Sequence, residues 1–137
     1  MTALTEFLFP APAKRTVGGI VTWWESRRLA YNIFVGSAGL ITTAAFALIT
    51  ALPPISDPEL IPWQGMIAFG LGANFFYTMG SMIEIVAQKI WGNEVLPIGP
   101  ALYRMGLTFS VGLALFPALI FTCIWVIRIV LAVTGVG

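Results

Sequence analysis

One apolar stretch contains five polar residues whose types and spacing best suit a chemical role. They recur at intervals of three, four, three and four residues: Asn74, Tyr77, Ser81, Glu84 and Gln88. Because an α-helix has 3.6 residues per turn, this spacing places all five along one helical face. The rest of the stretch is apolar and long enough to cross a bilayer. The pattern therefore predicts a buried polar seam that faces other protein helices.

Glu84 is the acidic member of this seam, and an unpaired carboxylate in hydrocarbon is costly. Arg104 begins the next apolar stretch on the same predicted side, and a long arginine side chain reaches inward from the interface. We therefore expect a Glu84–Arg104 ion pair. The expected additional hydrogen-bonding groups are Gln88, Tyr31 and Asn32, and the alternative cations are Arg27 and Arg28. Three roles stay open: an internal structural contact, a contact to a partner subunit or lipid, and proton or ion handling.

Composition excludes several kinds of site. The chain has no histidine and a single cysteine, so His-ligated haem, His-based zinc sites and Ser-His triads are excluded within it. It has no nucleophile–base pair, phosphate-binding glycine loop or metal-ligand cluster. We expect no enzymatic activity, no metal and no cofactor held by this chain alone. Its phenylalanine-rich faces would suit a bound lipid, quinone or carotenoid. The scattered basic residues argue against nucleic acid as a partner.

The elements that carry the seam follow from hydropathy. The chain has 137 residues, of which 58% are hydrophobic and 9% charged, whereas an average soluble domain is about 25% charged. Residues 30–52, 63–90 and 101–133 are each long enough to cross about 30 Å of hydrocarbon. The predicted fold is an all-α integral membrane protein with three transmembrane helices in a compact bundle. Residues 1–29 form an expected interfacial N-terminal segment, and residues 30–137 form the membrane domain.

Small residues on the first and third spans predict which faces of these helices pack against the polar seam of the second span. At spacings of three or four they let helix backbones approach closely in lipid. The expected packing positions are Gly36, Gly39, Thr43, Gly106, Ser110 and Ala114.

The distribution of basic residues predicts the orientation. Six of them fall on one side of the predicted membrane: Lys14, Arg15, Arg27, Arg28, Lys89 and Arg104. Only Arg128 falls on the other side. By the positive-inside rule the N-terminus is expected in the cytoplasm and the C-terminus outside. A bacterial cytoplasmic membrane is the expected location.

The five tryptophans fall at the predicted membrane boundaries, as an aromatic belt requires. Trp23, Trp24 and Trp91 fall at the inner boundary, and Trp63 and Trp125 at the outer one. We expect them, with Arg27 and Arg28, to contact lipid headgroups or to dock a partner.

The expected function follows mainly from elimination. A chain with short termini, small loops and an apolar surface fits an accessory or structural subunit of a larger membrane complex. Its expected partners are the lipid bilayer and other membrane subunits, or copies of itself. The alternative is a homo-oligomeric channel, or another ion- or proton-conducting protein, in which the polar stripe of the second span lines a pore.

Overall fold

The computed structural model describes residues 16–55, 61–92 and 98–136, and this part of the chain contains three helices and no strand. They are α1 (Val17–Ala51), α2 (Trp63–Trp91) and α3 (Gly99–Thr134). At 1.5 Å per residue they are about 52, 44 and 54 Å long, each more than the thickness of a bilayer core. By length and composition all three are able to cross a membrane. Residues 1–15 of the predicted N-terminal segment, and the loop residues 56–60 and 93–97, lie outside the described residues.

Local sequence signals set the helix ends. The Thr16 hydroxyl accepts a hydrogen bond from the Gly19 amide at 3.1 Å, which caps α1. Pro53 follows the end of α1. Pro100 lies in the first turn of α3, where a proline needs no amide partner. Gly92 and Gly135 end α2 and α3 with positive φ angles of 66° and 70°, which glycine adopts without strain.

The predicted spans 63–90 and 101–133 agree with α2 and α3 to within two residues. α1 runs without a break from Val17 to Ala51, so no interruption of the helix marks the predicted boundary at residue 30, and that boundary stays a prediction. The two adjacent glycines at 18 and 19 lie in the first turn, directly after the Thr16 cap. A glycine weakens a helix most in its interior, so at this position the pair does not interrupt it.

Each helix contacts the other two. Residues 20–38 of α1 pack with residues 73–91 of α2 and residues 99–114 of α3, and we call this part of the bundle the closed half. Nearly all fully buried side chains lie in it. On α1 they recur every three or four residues: Ile20, Trp24, Arg27, Tyr31, Val35 and Ala38. On α2 they are Ala73, Tyr77, Ser81 and Glu84, and on α3 they are Gly99, Pro100, Tyr103, Ser110 and Ala114.

The other end of the bundle, which we call the open half, is loosely packed. Residues 61–68, before and at the beginning of α2, are all exposed, and no residue between 115 and 136 is fully buried. Here α1 and α3 still touch, through the Phe46 and Phe121 rings with centroids 5.1 Å apart. The Trp125 indole Nε1 also donates to the Pro53 carbonyl at 3.0 Å. The helices are therefore held together mainly in the closed half.

Candidate functional site

The Glu84 carboxylate is the centre of the closed half and is 4% exposed. Nε1 of Trp24 on α1 donates a hydrogen bond of 2.6 Å to its Oε2. The carboxyl group also lies against Gly99, the first residue of α3. A Cβ on Gly99 would overlap Oε2. A carboxylate is favoured at this end of a helix, where the backbone dipole is positive.

The Trp24 indole is enclosed on every side and is 2% exposed. Its ring lies on Gly80 of α2, where a Cβ would be only 2.9 Å from Cη2. The Tyr77 and Tyr103 rings meet it edge to face, with centroid distances of 5.1 and 6.3 Å. The Tyr77 hydroxyl donates to the Trp24 carbonyl at 2.5 Å. Glycine at position 80 is what lets α1 and α2 approach this closely around a large ring.

This placement corrects the prediction for Trp24 and Arg27, whose side chains were expected in the headgroup region. Arg27 is 7% exposed. Its guanidinium lies 3.9 Å from the centroid of the Trp23 ring, and its Nη1 donates to the Trp23 carbonyl at 3.1 Å. Neither side chain is available to a headgroup or a docking partner. The Trp23 indole nitrogen is buried and has no hydrogen-bond partner among the described residues.

Arg28 joins α1 to α2 at the surface of the closed half. It forms a salt bridge of 2.7 Å with Glu25, one turn earlier on the same helix. Across the helix contact it donates to Thr78 Oγ1 at 3.2 Å and to Asn74 Oδ1 at 3.4 Å. Its guanidinium also lies 4.9 Å from the centroid of the Tyr77 ring. The alternative in which Arg28 pairs with Glu84 does not hold, because the carboxylate partner of Arg28 is Glu25.

Tyr31 and Asn32 also have partners other than Glu84, so they do not complete its hydrogen bonding as expected. The Tyr31 hydroxyl lies 2.8 Å from Ser110 Oγ on α3 and 3.2 Å from the Ala73 carbonyl on α2. Asn32 Oδ1 accepts from Asn74 Nδ2 at 2.8 Å. Both residues hold helices together deeper in the bundle than Glu84.

The structure places the five residues of the predicted seam along α2 as follows. Tyr77, Ser81 and Glu84 are buried, whereas Asn74 and Gln88 are half-buried. The Ser81 hydroxyl donates to the Thr78 carbonyl of its own helix at 2.8 Å. Gln88 lies one turn past Glu84. The predicted Glu84–Arg104 ion pair stays a prediction, as does a contact of Glu84 with Gln88 or Arg27.

Of the predicted small-residue packing positions, Ser110 and Ala114 on α3 are buried within the chain, whereas three glycines have no close neighbour. Ser110 and Ala114 are buried against α1, where the Thr42 hydroxyl donates to the Ala114 carbonyl at 2.5 Å. A Cβ on Gly36, Gly39 or Gly106 would meet nothing within 4 Å. These glycines therefore do not serve close helix contacts within the chain. Thr43 bonds to the Gly39 carbonyl at 2.9 Å and lies 3.5 Å from the Met66 sulfur.

Gly80 and Gly99, which do serve close contacts, are residues that the sequence reasoning did not single out. A signal for Gly80 is present, since it lies four residues before Glu84 on the same face of α2. The three remaining tryptophans lie away from the core. Trp63 and Trp91 are exposed and Trp125 is half-buried, and their contact with lipid headgroups stays a prediction.

Several polar groups of this cluster bond across helices: the Trp24 indole to Glu84, the Tyr77 hydroxyl to the Trp24 carbonyl, and the Asn74 amide to Asn32. Among residues 16–55, 61–92 and 98–136, no group of three or more His, Cys, Asp and Glu side chains is placed to hold a metal ion. Comparisons with protein-family models, with curated proteins and with solved structures find no match to this chain. Its function is therefore argued from its own residues.

Proposed function

We propose that this chain is a small, non-catalytic integral membrane protein that packs as an accessory or structural subunit within a larger membrane complex. The main observation in support of this proposal is the set of contacts that Glu84 makes. Its carboxyl group accepts a hydrogen bond from Trp24 and lies against Gly99, so one acidic side chain contacts all three helices. A buried side chain held in this way stabilises a helix arrangement and is poorly placed to react with a substrate.

The outer surface supports the same proposal. Large apolar side chains are exposed along all three helices, and the second half of α3 buries none of its side chains. Helices associate in lipid through packing and hydrogen bonds, because lipid tails are as apolar as the side chains. An apolar outer face with its polar groups turned inward suits a subunit that fits between the helices of other proteins.

The burial of the seam argues against the alternative of a homo-oligomeric channel. A pore lined by this stripe would need Tyr77, Ser81 and Glu84 on an outer face of each protomer, turned towards a shared axis. In this chain all three are buried, and the Tyr77 hydroxyl is bonded to the Trp24 carbonyl. Exposing them would require the closed half to come apart.

The proposed location is a bacterial cytoplasmic membrane, with the closed half next to the cytoplasm. Three crossings place the two termini on opposite sides. The closed half carries Arg27, Arg28, Lys89 and Arg104, and the positive-inside rule favours this end in the cytoplasm. Reporter fusions to the two termini test this: a cytoplasmic reporter should be active only at the N-terminus.

The experiment that tests the proposed function is purification of the tagged full chain from its native membrane in a mild detergent, followed by native mass measurement. The expected result is a complex with larger membrane subunits at a fixed ratio. A tag on one of those subunits should recover this chain at the same ratio. A chain recovered alone, or as a ring of identical copies, would contradict the proposal.

A further inference from the structure

The hydrogen bonds that join α2 to the other helices begin at Ala73, whose carbonyl accepts from the Tyr31 hydroxyl at 3.2 Å. Four later residues of α2 bond to α1: Asn74, Tyr77, Thr78 and Glu84. Before Ala73, within the described part of the chain, α2 makes one such bond, from Thr43 Oγ1 to the Met66 sulfur at 3.5 Å. Sulfur is a weak acceptor. The beginning of α2 is therefore held to the bundle more weakly than the rest of the helix.

The packing of α2 shows the same division. Residues 63–68 are all exposed, and the first fully buried residue of α2 is Ala73. A part of a structure with few buried side chains and few hydrogen bonds opens at a lower free energy than the rest. We call residues 63–69 the arm of α2.

Two glycines, Gly70 and Gly72, lie between the arm and the part of α2 that is held. A Cβ on either would meet nothing within 4 Å, so close packing does not account for them as it does for Gly80. In a helix interior each glycine costs roughly 0.5–1 kcal/mol relative to alanine. The Asn74 side-chain nitrogen also donates to the Gly70 carbonyl at 3.1 Å, so this carbonyl keeps a partner when the backbone bends. The helix is thus easiest to bend at residues 70–72.

The arm forms one wall of a lateral groove of about 610 Å³ in the open half, and α1 and α3 form the other wall. The wall of α1 and α3 is fixed by two contacts. The Phe46 and Phe121 rings pack with centroids 5.1 Å apart, and Trp125 donates to the Pro53 carbonyl at 3.0 Å. Of the two walls, the arm is therefore the one that can move.

We infer that Gly70 and Gly72 form a hinge about which the arm closes on the groove and opens it towards the membrane. The arm is about 10 Å long, so a bend of about 20° moves its far end by roughly 4 Å. Closing packs Met66 and Phe69 more tightly against α1 and α3, but apolar burial drives helix contacts only weakly in lipid. Neither position is therefore strongly favoured, and both are populated. The hinge lies within one chain and does not depend on the proposed subunit role.

The test compares two distances to the single cysteine of the chain, Cys123, which is exposed on α3 and carries one spin label. Gln64→Cys places the second label on the arm, and Met82→Cys places it on the held part of α2, both at exposed positions. Distance distributions are measured by double electron–electron resonance on the full chain in liposomes. The pair at 64 and 123 should spread over roughly 4 Å more than the pair at 82 and 123. Because both pairs share Cys123, a movement of α3 would broaden both equally.

Alanine variants locate the hinge. Gly70→Ala combined with Gly72→Ala stiffens the helix and should narrow the distribution of the arm to the width of the pair at 82 and 123. Gly112→Ala is the matched control, because Gly112 is an exposed glycine inside α3 with nothing within 4 Å of its Cβ position. It should leave both distributions unchanged. None of these alanines meets a close neighbour, so all the variants should fold.

Two results would overturn the inference. Equal widths for the two pairs in the otherwise unchanged chain would show that the arm does not move relative to the rest of α2, and this comparison needs no glycine variant. An arm distribution that stays broad when both Gly70→Ala and Gly72→Ala are present would reject these glycines as the hinge. Both results are independent of whether larger subunits co-purify.

Discussion

Nε1 of Trp24 and Oε2 of Glu84 are 2.6 Å apart, and both side chains are almost completely buried. The same carboxylate lies against Gly99 at the beginning of α3. One acidic side chain of α2 therefore contacts both neighbouring helices. In lipid, where apolar burial drives helix association only weakly, such polar contacts carry much of the specificity of packing.

The first prediction concerns the indole donor. Trp24→Phe keeps an aromatic ring and removes the hydrogen bond to Glu84. We expect the free energy of unfolding in mixed detergent micelles to fall by about 1.5–3 kcal/mol, the range for a bond to a charged group. Trp63→Phe, at an exposed tryptophan of α2, should change it by less than about 0.5 kcal/mol. Equal effects of the two substitutions would show that the indole bond does not stabilise the bundle.

The second prediction concerns the contact between Gly99 and the Glu84 carboxylate. Gly99→Ala places a methyl group where Oε2 now lies, and we expect it to lower the free energy of unfolding by about 1–3 kcal/mol. When Glu84→Ala has removed the carboxylate, the same change should be neutral or should stabilise by up to about 1 kcal/mol. Chemical denaturation of both single variants and the double variant measures this change of sign. Additive effects would reject the contact.

The third prediction concerns the glycine beneath the Trp24 ring. Gly80→Ala forces the indole away from α2, because its new Cβ would lie 2.9 Å from Cη2. We expect a loss of about 1–3 kcal/mol in unfolding free energy. The matched control is Gly72→Ala on the same helix, where a Cβ meets nothing within 4 Å. The control should be neutral or slightly stabilising, and a similar loss in both variants would point to a general effect of glycine in α2.

The fourth prediction concerns the amide that links α1 to α2. Asn74→Leu removes the hydrogen bonds to Asn32 and Arg28 and should lower the free energy of unfolding by roughly 0.6–2 kcal/mol, the range for polar contacts between membrane helices. Thr122→Val is the control, because the exposed Thr122 hydroxyl bonds the Ala118 carbonyl of its own helix. The free energy of unfolding of both variants is measured in the same micelles. An equal loss in the two variants would contradict an interhelical role for Asn74.

The sequence predicted those parts of the fold that depend on local pattern. Long apolar stretches predict α2 and α3 because span length is set by bilayer thickness. The polar stripe follows from the helical period, and Tyr77, Ser81 and Glu84 lie on one buried face as that period requires. Neither inference needs knowledge of which helices touch.

The identity of the contact partners could not be predicted in the same way. Tryptophan is common at membrane interfaces, so its type alone favoured a headgroup role for Trp24. Only the rotation of α1 about its axis turns that ring into the bundle. Small residues are similarly ambiguous, because the same spacing suits a packed face and an open one. Gly80 and Gly99 have close neighbours, whereas Gly36 and Gly39 face open space.

The central claim is that the polar seam of α2 lies inside each protomer and does not line a water-filled path. Its most direct test is cysteine accessibility in native membranes opened to both sides, in a Cys123→Ser background. Ser81→Cys probes the buried seam, and Lys89→Cys probes an exposed position near the end of the same helix. We predict that a charged, membrane-impermeant thiol reagent labels Lys89→Cys fully and labels Ser81→Cys only after denaturation. Labelling of Ser81→Cys at the rate of Lys89→Cys in native membranes would contradict the claim and favour a pore.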